Sequence, residues 1–342
     1  MRSLALAAFL AAAALSAGAE DDEASRHGPF EWRERWLVAQ PRFVLASVSP
    51  DTLGRGVTRV RIDFDWGNDL GWEQPARGES PVGRNFLVDG EHRSLGVDFR
   101  RGLTDRLDVG VRVPVEWRGG GILDGVIGWF HGFTRRLGLP DNGRRAFLED
   151  QVRFAGTLVS GAPFASDMRS GTGLGRIELG ARWALTGPSA TRAGRLAFLP
   201  TLSLPTASGA FSTSRLALGL QIVGAHGVGG SGALYAGVGG AFGDEPQSGP
   251  VEYASARAHG FVAFERRFGR RWSAVGQSSA SGRLVQNVTA YPGLQWYLAL
   301  GARLNLDSGH TIEAGFTENI ARQQATTDFG VQITVSRRFG RR

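Results

Sequence analysis

The sequence predicts an all-β protein, a transmembrane antiparallel β-barrel of about twelve strands. Three observations carry that reading. A leader with the pattern of an export signal is followed by no apolar helix. Hydropathy alternates with period two over most of the chain. Short and long connections alternate along it.

Residues 1–19 read MRSLALAAFLAAAALSAGA, with Arg2, an apolar run from Leu4 to Leu15, and Ala17-Gly18-Ala19. One positive charge, an apolar core too short to span a bilayer and an A-x-A end make a cleavable signal peptide. Nothing later is apolar for the roughly 18 residues a membrane helix needs. An exported chain can still cross a bilayer as a closed barrel, where every backbone group is paired. Residues 20–56 are expected as a periplasmic N-terminal segment whose acidic start, Glu20-Asp21-Asp22-Glu23, is solvated. Residues 57–339 are expected to form the barrel.

The strands follow in order. In 107–117, Leu107, Val109, Val111, Val113, Val115 and Trp117 share one face, and Asp108, Arg112 and Glu116 the other. Successive side chains of a strand point to opposite faces, so this is a two-faced strand. Pro114 lacks a donor and is placed near the strand end. The same alternation marks 57–66, 93–101, 175–185, 293–306 and 328–339. Weaker patterns lie at 195–205, 215–224, 232–242, 256–267, 272–281 and 311–319. Turns at 102–106, 186–194, 225–231, 268–271 and 307–310 alternate with longer segments at 67–92, 118–174, 206–214, 243–255, 282–292 and 320–327. An even strand number with short turns at one end and long loops at the other is the outer-membrane pattern. A soluble β-sandwich also alternates. Here, however, the polar face repeatedly sets arginine beside acid, which suits a confined interior.

Composition removes several functions. The chain has 342 residues, no cysteine and no lysine, so its 39 basic residues are all arginine. Disulfides, thiol nucleophiles and thiolate metal sites are excluded. The six histidines, at 27, 92, 131, 226, 259 and 310, fall in no metal-ligand spacing, and neither metal nor cofactor is expected. The glycine runs at 228–232 and 237–243 lack a phosphate-loop ending. The net charge of +7 is dispersed in step with acids, so nucleic acid is not an expected partner.

Over most of the mature chain, and most specifically within 85–145, the sequence resembles the domain-of-unknown-function 3187 family, outer-membrane proteins of Gram-negative bacteria. The residues that carry the likeness are Asp89-Gly90-Glu91, Gly102-Leu103-Thr104-Asp105-Arg106-Leu107, Val113-Pro114, Gly119 to Asp124, His131 and Gly138 to Arg144. The resemblance implies an outer-membrane barrel and no activity or site residues. The last strand also looks like one recognised by the barrel-assembly machinery. Its aromatic is Phe339, in the outward parity of Phe329, Val331, Ile333 and Val335, although Gly340-Arg341-Arg342 follow it. Outer-membrane lipid and lipopolysaccharide are the other expected partners.

Three candidate sites remain. In the long loop 118–174, Ile122, Val126, Trp129, Phe130, Phe133 and Leu137 fall on one face of a helix over 122–137. That helix either packs over the barrel mouth, plugs or gates it, or lies on lipid. His92 and Ser94 resemble the His-x-Ser pair of an outer-membrane phospholipase family, in which histidine deprotonates serine. That family's following Asn-Gly is replaced by Leu95-Gly96, and the parity points both side chains into the lumen. The third is the lumen, expected to be lined by Arg59, Arg61, Asp63, Asp65, Asp98, Arg100, Asp108, Arg112, Glu116, Arg176, Glu178, Arg182 and Arg303. Such an interior either passes small hydrophilic solutes or is held shut by salt bridges, and twelve strands fall between filled and open barrels. The expected function is a pore or transport protein. The alternative is a non-conducting envelope barrel, and a lipid hydrolase is more remote. No catalytic residue is assigned.

Overall fold

The computed structural model describes residues 28–34, 36–72, 86–121, 125, 129, 132, 136, 152–166, 168–187, 194–244, 247–291, 293–319, 327 and 329–340. Twelve strands form one antiparallel ring: β1 (Thr58–Trp72), β2 (Phe86–Gly102), β3 (Leu107–Gly119), β4 (Glu178–Ala184), β5 (Arg195–Ser203), β6 (Ala217–Val228), β7 (Gly232–Phe242), β8 (Ala256–Phe268), β9 (Trp272–Gly282), β10 (Leu294–Asn305), β11 (His310–Asn319) and β12 (Phe329–Phe339). Each pairs with the next, and β1 pairs with β12 from Thr58↔Phe339 to Asn68↔Phe329, which closes the barrel.

Burial is inverted relative to a soluble protein. On β1, Ile62 is 47 % exposed while Asp63 and Asp65 are each 2 % exposed. Val97, Phe99, Trp183, Val238, Val262 and Ile333 also face outward and are exposed. An apolar outer band around a polar interior is the arrangement that lipid stabilises.

All twelve predicted strands are present, with shifted ends. The expected loop 67–92 is shorter, because β1 runs on to Trp72 and β2 starts at Phe86. From Phe86 to His92 every residue is buried, so both faces of this stretch are covered and period two fades. The expected loop 118–174 contains three short strands. Arg153–Thr157 pairs with β2, Pro163–Ser166 pairs with Arg153–Thr157, and Gly171–Leu174 pairs with β3. Pro114 lies inside β3 rather than near its end. It falls in the gap between the ladder to β4, which ends at Arg112, and the ladder to Gly171–Leu174, which starts at Val115. A missing donor costs least at such a gap.

The predicted helix over 122–137 falls largely outside the described residues. Gly125, Trp129, Gly132 and Arg136 are described with helical backbone, and Trp129 is 70 % exposed. Ile122, Val126, Phe130, Phe133 and Leu137 lie outside the described residues.

At the long-loop end, Phe86, Phe154, Phe164, Leu284, Val288 and Tyr291 form an apolar core with Trp36 and Leu37 of the N-terminal segment. Phe154 and Phe164 meet edge to face at 5.1 Å. That core anchors residues 36–39 of the N-terminal segment.

Candidate functional site

The lumen is occupied by the chain's own N-terminal segment. The sequence places 20–56 outside the barrel, but 28–56 runs within it. The segment enters at the short-turn end, where the Gly28 amide donates to Glu265 at 3.2 Å. It reaches the loop end at Leu37, whose amide donates to Asp69 at 2.7 Å. It turns through hydrogen bonds from Ala39 and Gln40 to Trp36. It then returns, held by Phe43 N–H on Asp244 (2.7 Å), Gln221 on the Ala46 carbonyl (3.0 Å) and Leu53 N–H on Asp108 (3.1 Å). Arg33 and Ala46 form an antiparallel bridge, so the two arms make a loose hairpin. It leaves at the end where it entered, with Gly56 N–H on the Gly102 carbonyl at 2.9 Å.

The physical reason is complementarity. The stretch Phe30-Glu31-Trp32-Arg33-Glu34 interleaves large rings with charges. Phe30 and Trp32 are buried, and added Cβ atoms at Gly301 and Gly330 would meet their rings. Those glycines make room in the wall. The charges meet opposite charges: Glu31 with Arg59 (2.8 Å) and Arg61 (2.5 Å), Arg33 with Glu178 (2.7 Å), and Glu34 with Arg257 (2.6 Å).

Of the thirteen residues expected in the lumen, eleven are buried and Arg59 and Arg100 are partly so, and ion pairs join most of them. Arg112 holds Asp63 at 2.7 Å, Arg100 holds Asp108 at 2.6 Å, and Arg59 also reaches Asp98 at 3.1 Å. Arg176 holds Asp244 at 3.0 Å, and Arg182 donates to the Asp51 carbonyl. Arg303 binds Glu313 (2.6 Å), Glu265 (3.1 Å) and the carbonyls of Gly28 and Pro29. Asp65 is buried, and Glu116 accepts from Ser94 at 3.1 Å. Sequence reasoning missed Glu31, Arg33, Glu34, Asp69, Arg257 and Glu265. The ring-and-charge alternation of 30–36 was the available signal for the first three.

Burial alone would raise the Glu31 carboxyl. The fields of Arg59, Arg61 and Arg182, with the hydrogen bond from Arg59, outweigh it and hold Glu31 well below the usual carboxylate range. Between hairpin and wall lie cavities of about 50 Å³ and about 40 Å³. On this measure roughly 10–15 Å³ suffices for one water, so each cavity has room for more than one. A larger cavity of about 320 Å³ opens at the short-turn end.

His92 and Ser94 both point inward, but not at a shared proton. His92 Nδ1 lies 2.8 Å from Asp69, while Ser94 donates to Glu116. Asp69 is an orienting carboxylate that spacing could not place, because it stands across the strand pair. Among the described residues no cluster of three His, Asp or Glu is arranged to hold a metal.

The crystal structure of the COG4313 outer membrane channel from Pseudomonas putida F1 superposes with a TM-score of 0.58 at 12% identity, covering 85% of this chain and 98% of that one. The toluene transporter TodX of P. putida gives a TM-score of 0.39 at 11% identity, covering 94% and 98%. The toluene transporter TbuX of Ralstonia pickettii gives 0.40 at 12%, covering 84% and 90%. The first likeness is one of fold, and the other two are too loose to add to it. No curated protein matches. Residues 5–339 match the family described as "Protein of unknown function (DUF3187)", and the chain belongs to that family.

Proposed function

We propose that this chain is an outer-membrane barrel of a Gram-negative bacterium, exported by residues 1–19, that passes small hydrophilic solutes when its N-terminal hairpin moves. The observation that carries the reading is the make-up of the seal. Between apolar contacts at Phe30 and Trp32, at Trp36 to Ala39 and at Phe43 to Leu45, the hairpin is held to the wall by ion pairs and hydrogen bonds. Water can replace the polar share of these contacts at modest net cost, which favours a seal that can open. The inward arginines and acids would then line a hydrated path. The likeness in fold to a channel supports a transport role. An enzymatic reading has little support, because Ser94 and His92 hold different partners.

The test uses the absence of cysteine. Ser47 on the hairpin and Ser279 on β9 lie Oγ to Oγ at 3.2 Å, which makes Ser47→Cys and Ser279→Cys the pair to cross-link. The chain starting at Glu20 is expected to give conductance steps in a planar bilayer. The oxidised double variant is expected to be silent, with steps returning on reduction. Steps that persist in the oxidised protein would remove the hairpin as the gate. Silence of the unlocked chain, shown to be folded, would favour a non-conducting barrel.

A further inference from the structure

The carboxylate of Glu31 sits in a cage that belongs to the wall. Arg59 and Arg61 of β1 each donate to one of its oxygens, Arg59 Nη1 to Oε1 at 2.8 Å and Arg61 Nη1 to Oε2 at 2.5 Å. Arg182 of β4 acts on it through its field. Charge-assisted hydrogen bonds of this kind fit the carboxylate in both geometry and sign.

Most of the surrounding wall is paired without Glu31. Arg59 also holds Asp98. Asp63 and Glu313, whose fields reach Arg61, are held by Arg112 and Arg303. Asp108, whose field reaches Arg182, is held by Arg100. Arg61 and Arg182 differ from their neighbours, because neither has an ion pair with a wall acid among the described residues. Apart from Glu31, Arg61 donates to the Thr334 hydroxyl at 3.2 Å, and Arg182 donates to the Asp51 carbonyl on the hairpin. Both side chains are buried, and the Nε of Arg182 has no hydrogen-bond partner among the described residues. Movement of the hairpin would take from Arg61 its carboxylate and from Arg182 its acceptor. A charge left unpaired in a confined interior is costly, so the vacated cage favours a replacement anion.

The cage also lies on a route. Glu31, Arg59 and Arg61 line the cavity of about 320 Å³ that opens at the short-turn end. Glu31 and Arg61 also line the cavity of about 50 Å³ deeper in the lumen. A solute passing from one to the other would meet these arginines.

We infer that Arg59, Arg61 and Arg182 form a binding site for small carboxylates, which Glu31 fills as a tethered stand-in while the hairpin is seated, and that small carboxylates are the solute class of this path. The class is read from the stand-in, a planar group whose two oxygens each meet one donor. The inference rests on the hairpin as the element that moves.

The experiment reads binding, not conduction, so a silent barrel can pass it and a conducting one can fail it. Carboxyl-labelled acetate is titrated into the chain starting at Glu20, folded in detergent, with sodium chloride holding the ionic strength constant. Its NMR relaxation gives the bound fraction. In the unsubstituted chain Glu31 competes from its tether, and Glu31→Ala removes the competitor, so acetate affinity is expected to rise about tenfold or more. Glu31→Ser, which likewise leaves every strand of the ring unchanged, is expected to do the same. Adding Arg61→Gln or Arg182→Gln to Glu31→Ala is expected to cancel the gain, and acetamide, the neutral isostere, is expected not to bind. Equal acetate affinity with and without Glu31, in chains shown to be folded by their heat-resistant migration, overturns the proposal. A gain that survives both arginine substitutions overturns it too. Inorganic phosphate binding the opened cage as tightly as acetate would make it a general anion site, which overturns the carboxylate class.

Discussion

Glu31 accepts hydrogen bonds from both Arg59 and Arg61, and it is the only carboxylate the hairpin sets between those two side chains among the described residues. Glu31→Gln keeps the shape and removes the charge. Losing charge-assisted hydrogen bonds of this kind costs about 2 kcal/mol, so local opening of the hairpin is expected to rise about 30-fold. Hydrogen exchange at residues 30–34 would show it, with barrel strands unchanged. Acidity acts at the same atom. The folded-state pKa of Glu31 is lowered, so its stabilising contribution is complete above the ordinary carboxylate value and is lost as pH falls through the lowered one. Exchange protection, corrected for intrinsic rate, is expected to hold from pH 7 to the usual carboxylate range and to fall only under stronger acid. Glu31→Gln should abolish that step. A step that survives the substitution would assign it to another carboxylate.

At the scale of elements, β6 shows how the wall receives the hairpin. A Cβ at Gly219 would come within 2.5 Å of Leu45 and 2.8 Å of Phe43. Both neighbours are side-chain tips of the hairpin, not wall backbone. Gly219→Val is therefore expected to displace the hairpin's returning arm while β6 keeps its pairing. Overpacking of this kind costs about 1–3 kcal/mol. Protease sensitivity between residues 40 and 50 should increase, and the heat-resistant migration of the folded barrel should remain. Loss of the folded barrel band would show instead that Gly219 is needed by the strand.

For the whole molecule, the outer face and the interior answer to different solvents. Val262 lies mid-strand on β8 and is 53 % exposed. Val262→Arg is expected to cost about 2–4 kcal/mol in lipid, as arginine does near a bilayer midplane. A folding titration in vesicles would measure it. A cost near zero would mean that this surface does not face lipid. This division of solvents is why the ring was legible in sequence: from Arg59 to Trp66, polar and apolar residues alternate because they meet different media. Legibility ended where the division ends. Phe86 to His92 is buried on both faces and lost its period, and 28–49 packs against side chains drawn from around the ring, a relation no local spacing records. Glu31 and Asp69 belong to that non-local part of the site.

The hairpin enters and leaves by the same rim, and its second arm continues at Val57 into β1. The oldest part of the chain, made before any strand, thus ends up enclosed by a ring whose seam joins β1 to the last strand made. Because Gly28 and Gly56 lie at the same rim, the described part of the segment does not cross the barrel from end to end, and filling the interior and sealing the seam are topologically separable. On the proposed reading, the hairpin would enter or leave the ring without any strand pair having to part.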